Sequence, residues 1–234
     1  MSEQAEGPGQ RRAIRSFVLR QGRKTHGQTR ALDQLWPQFG LTPDAAPDPA
    51  SWFGRDAALV LEIGFGNGRA LIECARSDPE RNYLGIEVHQ PGVGQLLLGI
   101  EEHELRNVRA FNHDAVEVLK QNIPAASVDE FRIWFPDPWH KKKHHKRRLI
   151  QSAFVELLTQ RLKPGGLLHL ATDWVPYAEW MSEVLAAQPA LRNLAAPELY
   201  SERPEWRPQT HFETRGQRLG HEVRDLLYRK VDSA

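Results

Sequence analysis

Cysteine is almost missing from this chain of 234 residues: Cys74 is the only one. A single thiol excludes a disulfide framework and a cysteine zinc site, and it fits a reducing compartment. Long apolar runs are missing too. None approaches 18 residues, and the first residues lack the apolar centre of a secretory signal. The expectation is a soluble, cytoplasmic protein with no membrane partner. Net charge is also close to nil. The 31 Lys and Arg against 30 Asp and Glu leave +1, so no global field draws the chain to a polyanion.

The charges are nevertheless unevenly placed. No acid lies between Glu6 and Asp33, while Arg11, Arg12, Arg15, Arg20, Arg23, Lys24 and Arg30 are cationic. This stretch reads either as a solvated tail or as a basic arm that contacts phosphates. Ile14, Phe17 and Val18 give it an apolar stripe, by which part of it could dock as a helix. Residues 1–10 are polar and glycine-containing, and are expected to be disordered. Pro43 to Pro49 read as a linker. The expected division is an arm and linker over 1–50, partly disordered, and one domain over 51–234.

The domain is organised around LVLEIGFGNGRA, Leu59 to Ala70. A short apolar run stopped by glycines reads as a strand buried on both faces, as in a parallel sheet. Gly64, Gly66 and Gly68 follow at alternate positions, then a helix pattern from Arg69 to Arg76. Strand, glycine turn and helix make the first half of a nucleotide-binding βαβ unit. A dinucleotide fingerprint would want its third glycine at position 69, which is Arg69, so a nicotinamide oxidoreductase is disfavoured. Glu62 lies two residues before the first glycine, giving E-x-G-x-G-x-G. That is the pattern of class I methyltransferases that bind S-adenosylmethionine, whose ammonium and sulfonium suit acids. A glycine turn without a ligand is the bland alternative.

Further acids fall at later strand ends. Tyr83 to Ile86 read as the second strand, and Glu87 ends it, placed to accept hydrogen bonds from ribose hydroxyls. A helix is expected from about Pro91 to Arg106 and a third strand over Asn107 to Asn112. Asp114 follows, either facing an adenine amino group or capping a helix from Ala115 to Lys120. The fourth strand, Ser127 to Phe135, runs into PDPWHKKKHHKRR, Pro136 to Arg148. In a doubly wound sheet this strand end neighbours the glycine turn, so Asp137 should lie at the cofactor's reactive end, stiffened by Pro136 and Pro138. Trp139 could stack on a base or pack.

Six of the nine residues from His140 to Arg148 are Lys or Arg, a run that cannot be core and fits polyanion binding beside the pocket. His140 and His144 have metal-ligand spacing on a helix, but no acid or cysteine joins them and the cations would repel an ion; no metal is expected. A helix over Arg148 to Leu162, a fifth strand over Leu167 to Thr172, Asp173 at its end, a helix over Trp174 to Ala187 and an antiparallel last strand within Val223 to Lys230 complete the reading. Asp173 could equally cap the helix after it.

LEIGFGNG, GIEVHQPGVG, HDAVEVL, FPDPWHKKKHHKRR, ATDWVPYAEWM and T-x-F-E-x-R-G-x-R-L-G-H closely resemble, in order, the bacterial tRNA (guanine-N7-)-methyltransferase family, from about Arg12 to Val231. The resemblance implies an α/β, Rossmann-like class I methyltransferase fold: a doubly wound, mostly parallel seven-stranded sheet with an antiparallel C-terminal strand and helices on both faces. It implies methyl transfer from S-adenosyl-L-methionine to N7 of a variable-loop guanine, position 46 in tRNA. By position, Glu62, Gly64, Gly66, Gly68, Glu87, Asp114 and Asp137 would hold the cofactor, and Asp137 would be the catalytic acid. Lys141, Asp173, Thr210, Phe212 and Glu213 would bind the substrate guanine. Lys143, His144, His145, Lys146, Arg147 and Arg148 would contact RNA. Another RNA or a non-RNA acceptor is the alternative, though a non-RNA acceptor would not need the basic run. No obligatory protein partner is evident, and the chain could be a monomer or a homodimer.

Overall fold

Alternating strand and helix patterns, each helix apolar along one stripe, can bury their faces only by layering helices on both sides of a sheet. The computed structural model describes residues 16–17, 22–209, 213–214, 220 and 222–231. Its strands are β1 (Gly40–Leu41), β2 (Leu59–Ile63), β3 (Asn82–Ile86), β4 (Val108–Phe111), β5 (Val128–Trp134), β6 (Leu162–Thr172), β7 (Leu191–Asn193) and β8 (Arg224–Lys230). They form one sheet in the order β1-β4-β3-β2-β5-β6-β8-β7. Pairings from β1 through β6 are parallel; β8 runs antiparallel to β6, and β7 antiparallel to β8. The sheet therefore has eight strands rather than seven, because Gly40–Leu41 adds a short edge strand beside β4.

The helices are α1 (His26–Gln34), α2 (Trp36–Phe39), α3 (Pro49–Phe53), α4 (Arg69–Ser77), α5 (Gln90–Glu102), α6 (Ala115–Gln121), α7 (Ser152–Arg161) and α8 (Val175–Ala186). One core gathers Leu71 and Ala75 of α4, Leu96 and Ile100 of α5, and Ala31 of α1. The other gathers Leu119 of α6, Leu158 of α7 and Met181 of α8. Residues 26–41 thus belong to the packed layers. Thr25 starts α1 with a capping box to Gln28, and Arg30 pairs with Glu101 of α5.

Element ends differ from the sequence reading for local reasons. Helix α5 stops at Glu102, four residues before Arg106, and Glu104 takes φ 51°, which ends the helical path. Helix α7 starts at Ser152, not Arg148. Ile150 is held extended from above: its N–H donates to Tyr177 Oη at 3.3 Å and its carbonyl accepts from Trp180 Nε1 at 2.7 Å. Strand β6 begins at Leu162, which pairs with Val128 before a register shift.

Candidate active site

The chain runs outward through β2, β3 and β4, then returns to place β5 beside β2. At that reversal the loops after β2 and β5 turn away from each other and leave a crevice. Two cavities meet there, of about 750 and 570 Å³, sharing Gly64, His89 and Trp134. Glu62 and Gly66 line the first, while Glu87 and Asp137 line the second.

Gly64 and Gly66 have φ of 78° and 60°, and a Cβ on either would meet nothing within 4 Å. Their backbone is therefore open to a bound molecule. Gly68, in contrast, lines neither cavity: a Cβ there would fall 2.6 Å from Leu96, so its role is to admit α5. Gly92, which the sequence reading did not single out, has the tightest approach. A Cβ on it would lie 2.0 Å from the Gly66 carbonyl oxygen, so only glycine lets α5 press on the turn.

Glu62 is 4% exposed and in register with Arg132 on β5. Its Oε2 is buried and has no hydrogen-bond partner. Burial pushes its carboxyl up to about 7; Arg132 opposes the rise, while Glu87 and Glu130 add to it. A buried acceptor left unbonded is costly unless a donor arrives. Glu87 is differently occupied. Its Oε2 accepts from Gly66 N–H at 2.9 Å, and its Oε1 accepts from Val88 and His89 N–H at 2.7 and 2.9 Å. It clasps the glycine turn as well as bordering the second cavity. Asp114 caps α6, accepting from Val116 N–H at 2.8 Å, with His113 and Ala115 lining the second cavity on either side of it.

Asp137 is exposed, and its Oδ1 accepts from Trp139 N–H at 3.1 Å. The flanking Phe135 and Trp139 hold φ of 53° and 46°. Left-handed backbone at two bulky residues marks a loop whose shape is imposed by its surroundings. Trp139 packs rather than standing free: Arg147 lies 4.0 Å over its ring, and its indole N–H donates to Ser16 O at 3.2 Å. Ser16 and Phe17 complete the wall of the second cavity, and Phe17 O accepts from Arg147 at 3.2 Å.

The basic run forms a 3-10 helix, Lys142–Arg147. Lys141, Lys142, Lys143 and Lys146 are exposed and Arg147 half-buried. Arg148 corrects the sequence reading. It is 3% exposed, its Nε donates to Pro138 O at 3.0 Å, and its guanidinium lies over Tyr177 and Trp180 at 4.8 and 5.6 Å. The side chain is closed off from solvent. Arg148 Nη2 also lies 3.2 Å from His145 Nε2. Arginine only donates, so that nitrogen is the acceptor of the pair. His144 is held below its usual value by partial desolvation and by the cations around it, Lys143 and Arg147 foremost. The exposed positive charge of the run therefore resides on its lysines, with Arg147 half-buried.

Lys141 and Asp173 line neither cavity, but their neighbours His140 and Trp174 meet edge to face at 4.3 Å, which joins the two loops. Helix α8 is N-capped at Trp174, not Asp173. Thr210 and Phe212 lie outside the described residues, as do Arg11, Arg12, Arg15 and Arg20. Glu213 is 2% exposed, and its carboxylate is taken by Arg207 at 2.7 and 3.1 Å. Among the described residues no group of three or more His, Cys, Asp or Glu could hold a metal ion. No described helix is long and apolar enough to cross a membrane.

A family model described as "Putative methyltransferase" matches residues 56–226. A protein of Xanthomonas axonopodis pv. citri named tRNA (guanine-N(7)-)-methyltransferase is 62% identical over 93% of this chain and 84% of its own length. The chain belongs to the tRNA (guanine-N7-)-methyltransferase family. A relative of the same name from Alcanivorax borkumensis is 56% identical over 94% of this chain and 92% of its own length. Another, from Xanthomonas euvesicatoria pv. vesicatoria, is 62% identical, and this chain spans 64% of its length.

Solved structures show the family's fold in more distant company. The 16S rRNA (adenine(1408)-N(1))-methyltransferase of Catenulisporales acidiphilia aligns with a TM-score of 0.53 at 14% identity, over 82% of this chain and 94% of that one. The [4+2]-cyclase SpnF aligns with a TM-score of 0.51 at 16% identity, over 88% of this chain and 95% of that one. A cyclase and an rRNA methylase on one scaffold mean that the fold alone does not assign the chemistry.

Proposed function

We propose that this chain transfers a methyl group from S-adenosyl-L-methionine to N7 of a guanine in the tRNA variable loop, position 46, and does so in the cytoplasm as a monomer or homodimer. The observation that carries the reading is the buried, unbonded oxygen of Glu62 beside a turn whose glycines leave open space. That arrangement fits the cofactor's ammonium at Glu62 and its ribose and adenine along Glu87 and Asp114. The cofactor supplies an electrophilic methyl group on sulfur. Transfer of labelled methyl to unmodified tRNA, followed by nucleoside analysis, tests the reading; label in any other nucleoside overturns it.

Guanine N7 carries an in-plane lone pair and no proton, so the chain need not supply a strong base. It must place N7 in line with the methyl carbon, which contributes at best about 7–11 kcal/mol. Methyl transfer from the bound cofactor would leave positive charge on the guanine ring. The Asp137 carboxylate would accept from N1–H and the 2-amino group, donors that grow more acidic as the ring gains charge. Lys141, Asp173 and the segment from Thr210 to Glu213 would frame the base, which must leave its stack to enter. The domain would take in the packed α1 and β1 together with residues 51–234, and the cations ahead of α1 would reach RNA.

Glu62 makes the cofactor site pH-dependent. Its raised value means that, without ligand, the carboxyl's contribution to stability is full below the unfolded 4.5 and is lost as pH rises through about 7. An ammonium placed against it favours the ionised form. Binding of the cofactor or its demethylated product near pH 6.5 should therefore release a proton, and affinity should rise with pH through about 7. Calorimetry in two buffers of different ionisation heat measures this. Glu62→Gln should abolish the release; a wild-type protein that releases none removes the ammonium from Glu62.

Affinity for tRNA should fall steeply with salt. Replacing the exposed Lys143 and Lys146 with Ala should lower the slope of log affinity against log salt by about 0.7 to 0.9 for each phosphate no longer neutralised. An unchanged slope would mean that these lysines point into solvent.

A further inference from the structure

Strand β5 brings a buried arginine beside the acid of the cofactor site. Arg132 pairs in register with Glu62 across the parallel contact of β2 and β5, so both side chains leave the sheet on one face. Both are buried. Helix α4 borders that face through Cys74, whose thiol donates to the Trp206 carbonyl at 3.9 Å. Beneath them a cavity of about 500 Å³ reaches Tyr83, Glu130 and Arg132.

Arg132 has little freedom to turn away. Its Nε donates to Glu130 Oε1 at 2.6 Å, and the rings of Trp206, Trp134 and Tyr83 lie 4.7, 5.3 and 5.7 Å from its guanidinium carbon. The rings hold the cation and replace part of its water. Glu130 does not neutralise it. The second oxygen of Glu130 accepts from Arg81 Nη1 at 2.8 Å, so two guanidiniums share one carboxylate and the group keeps one positive charge. Arg132 Nη1 is buried without a protein acceptor, as Glu62 Oε2 is without a protein donor. A surplus positive charge in a poorly solvated layer favours an anion next to it. The neighbouring strand offers Glu62.

The other groups around Glu62 do not favour its anion. Glu87 and Glu130 oppose its ionisation, and burial keeps the Cys74 thiol neutral, pushed up to about 12. Arg69, Glu73, His89, Glu102 and His103 border the same cavity but stand at least partly in solvent, which screens them. We propose that Arg132 is a positioning residue for the cofactor: its fixed charge, one strand away, keeps Glu62 an anion able to receive the ammonium. The inference rests on the reading of Glu62 as the ammonium's partner. Glu62 then works between two cations, one permanent and one that arrives with the ligand.

The test titrates S-adenosyl-L-homocysteine, the demethylated product, into the full-length protein. Calorimetry between about pH 5.5 and 8.5, in pairs of buffers of different ionisation heat, counts the protons released. In the wild type the release should fall to half a proton near the Glu62 value of about 7. Arg132→Gln should move that midpoint up by about one pH unit, the low end of what a close opposite charge does, and weaken binding near pH 6.5 about tenfold. Glu130→Gln keeps an oxygen for Arg132 Nε but drops the opposing charge, so its midpoint should move down. A purely structural role does not give opposite shifts from two substitutions at the same bond. Midpoints that stay put, or that move in the same direction, overturn the proposal. Where Arg132→Gln does not fold, the Glu130 variant decides alone, and a midpoint that fails to drop overturns it. Wild-type protein that binds the probe and releases no proton would instead sink the reading of Glu62 itself.

Discussion

Asp137→Asn should lower single-turnover methyl transfer on the order of 10²–10³-fold at saturating cofactor and tRNA, as deletion of one preorganised polar group does elsewhere. The substitution isolates charge from shape. Asp137 Oδ1 accepts from Trp139 N–H, and an asparagine oxygen can keep that bond, so the loop between Phe135 and Trp139 should hold. What changes is the outer edge of the group. An amide there presents a donor to the guanine's own N–H groups and no longer offsets the positive ring. The group is exposed in a loop fixed by left-handed backbone at both ends, so its direction is set before substrate arrives. A near-normal saturated rate with a raised apparent constant for the cofactor would move Asp137 to a cofactor-holding role.

Arg148→Ala should cost about 2–4 kcal/mol of stability, because it deletes two hydrogen bonds, two cation–π interactions and the packing of the side-chain stem. In a chain of this size that lowers the thermal midpoint by about 4–16 °C. The same change frees the Pro138 carbonyl, next to Asp137, so turnover should fall as well. Arg148→Lys should recover little, because an ammonium cannot stack flat on Tyr177. Thermal unfolding and the salt slope of tRNA binding read the two roles separately. A normal midpoint with a flattened slope would return Arg148 to the RNA-contacting set.

That reversal shows where local pattern stops. In the sequence Arg148 is one cation of a run and cannot be told from Lys146. Its burial depends on Tyr177 and Trp180, about thirty residues later, on a helix whose packing the run does not encode. Glu213 is parallel: the motif T-x-F-E marks it as important, yet its partner Arg207 comes from outside the motif.

Some features needed nothing beyond neighbours in the chain. The strand at Leu59, the turn at Gly64, Gly66 and Gly68, the acids after each strand and the order of the parallel strands follow from short-range periodicity and from the rule that such units wind one way. The polar alternation of Glu130, Arg132 and Trp134 is visible in the same manner, but its meaning is not. A strand beside a cofactor turn is expected to be apolar on both faces, and nothing local says what would cover a charged one. Tertiary structure decided the rest: that α1 and Gly40–Leu41 belong to the layers, that Glu62 is left with an unbonded oxygen, and that the charged face of β5 is bordered by α4 and Trp206. The physical reason is common to all three. Burial, and the hydrogen bonds it makes obligatory, depend on which distant segment lies overhead, and periodicity within one strand carries no record of that.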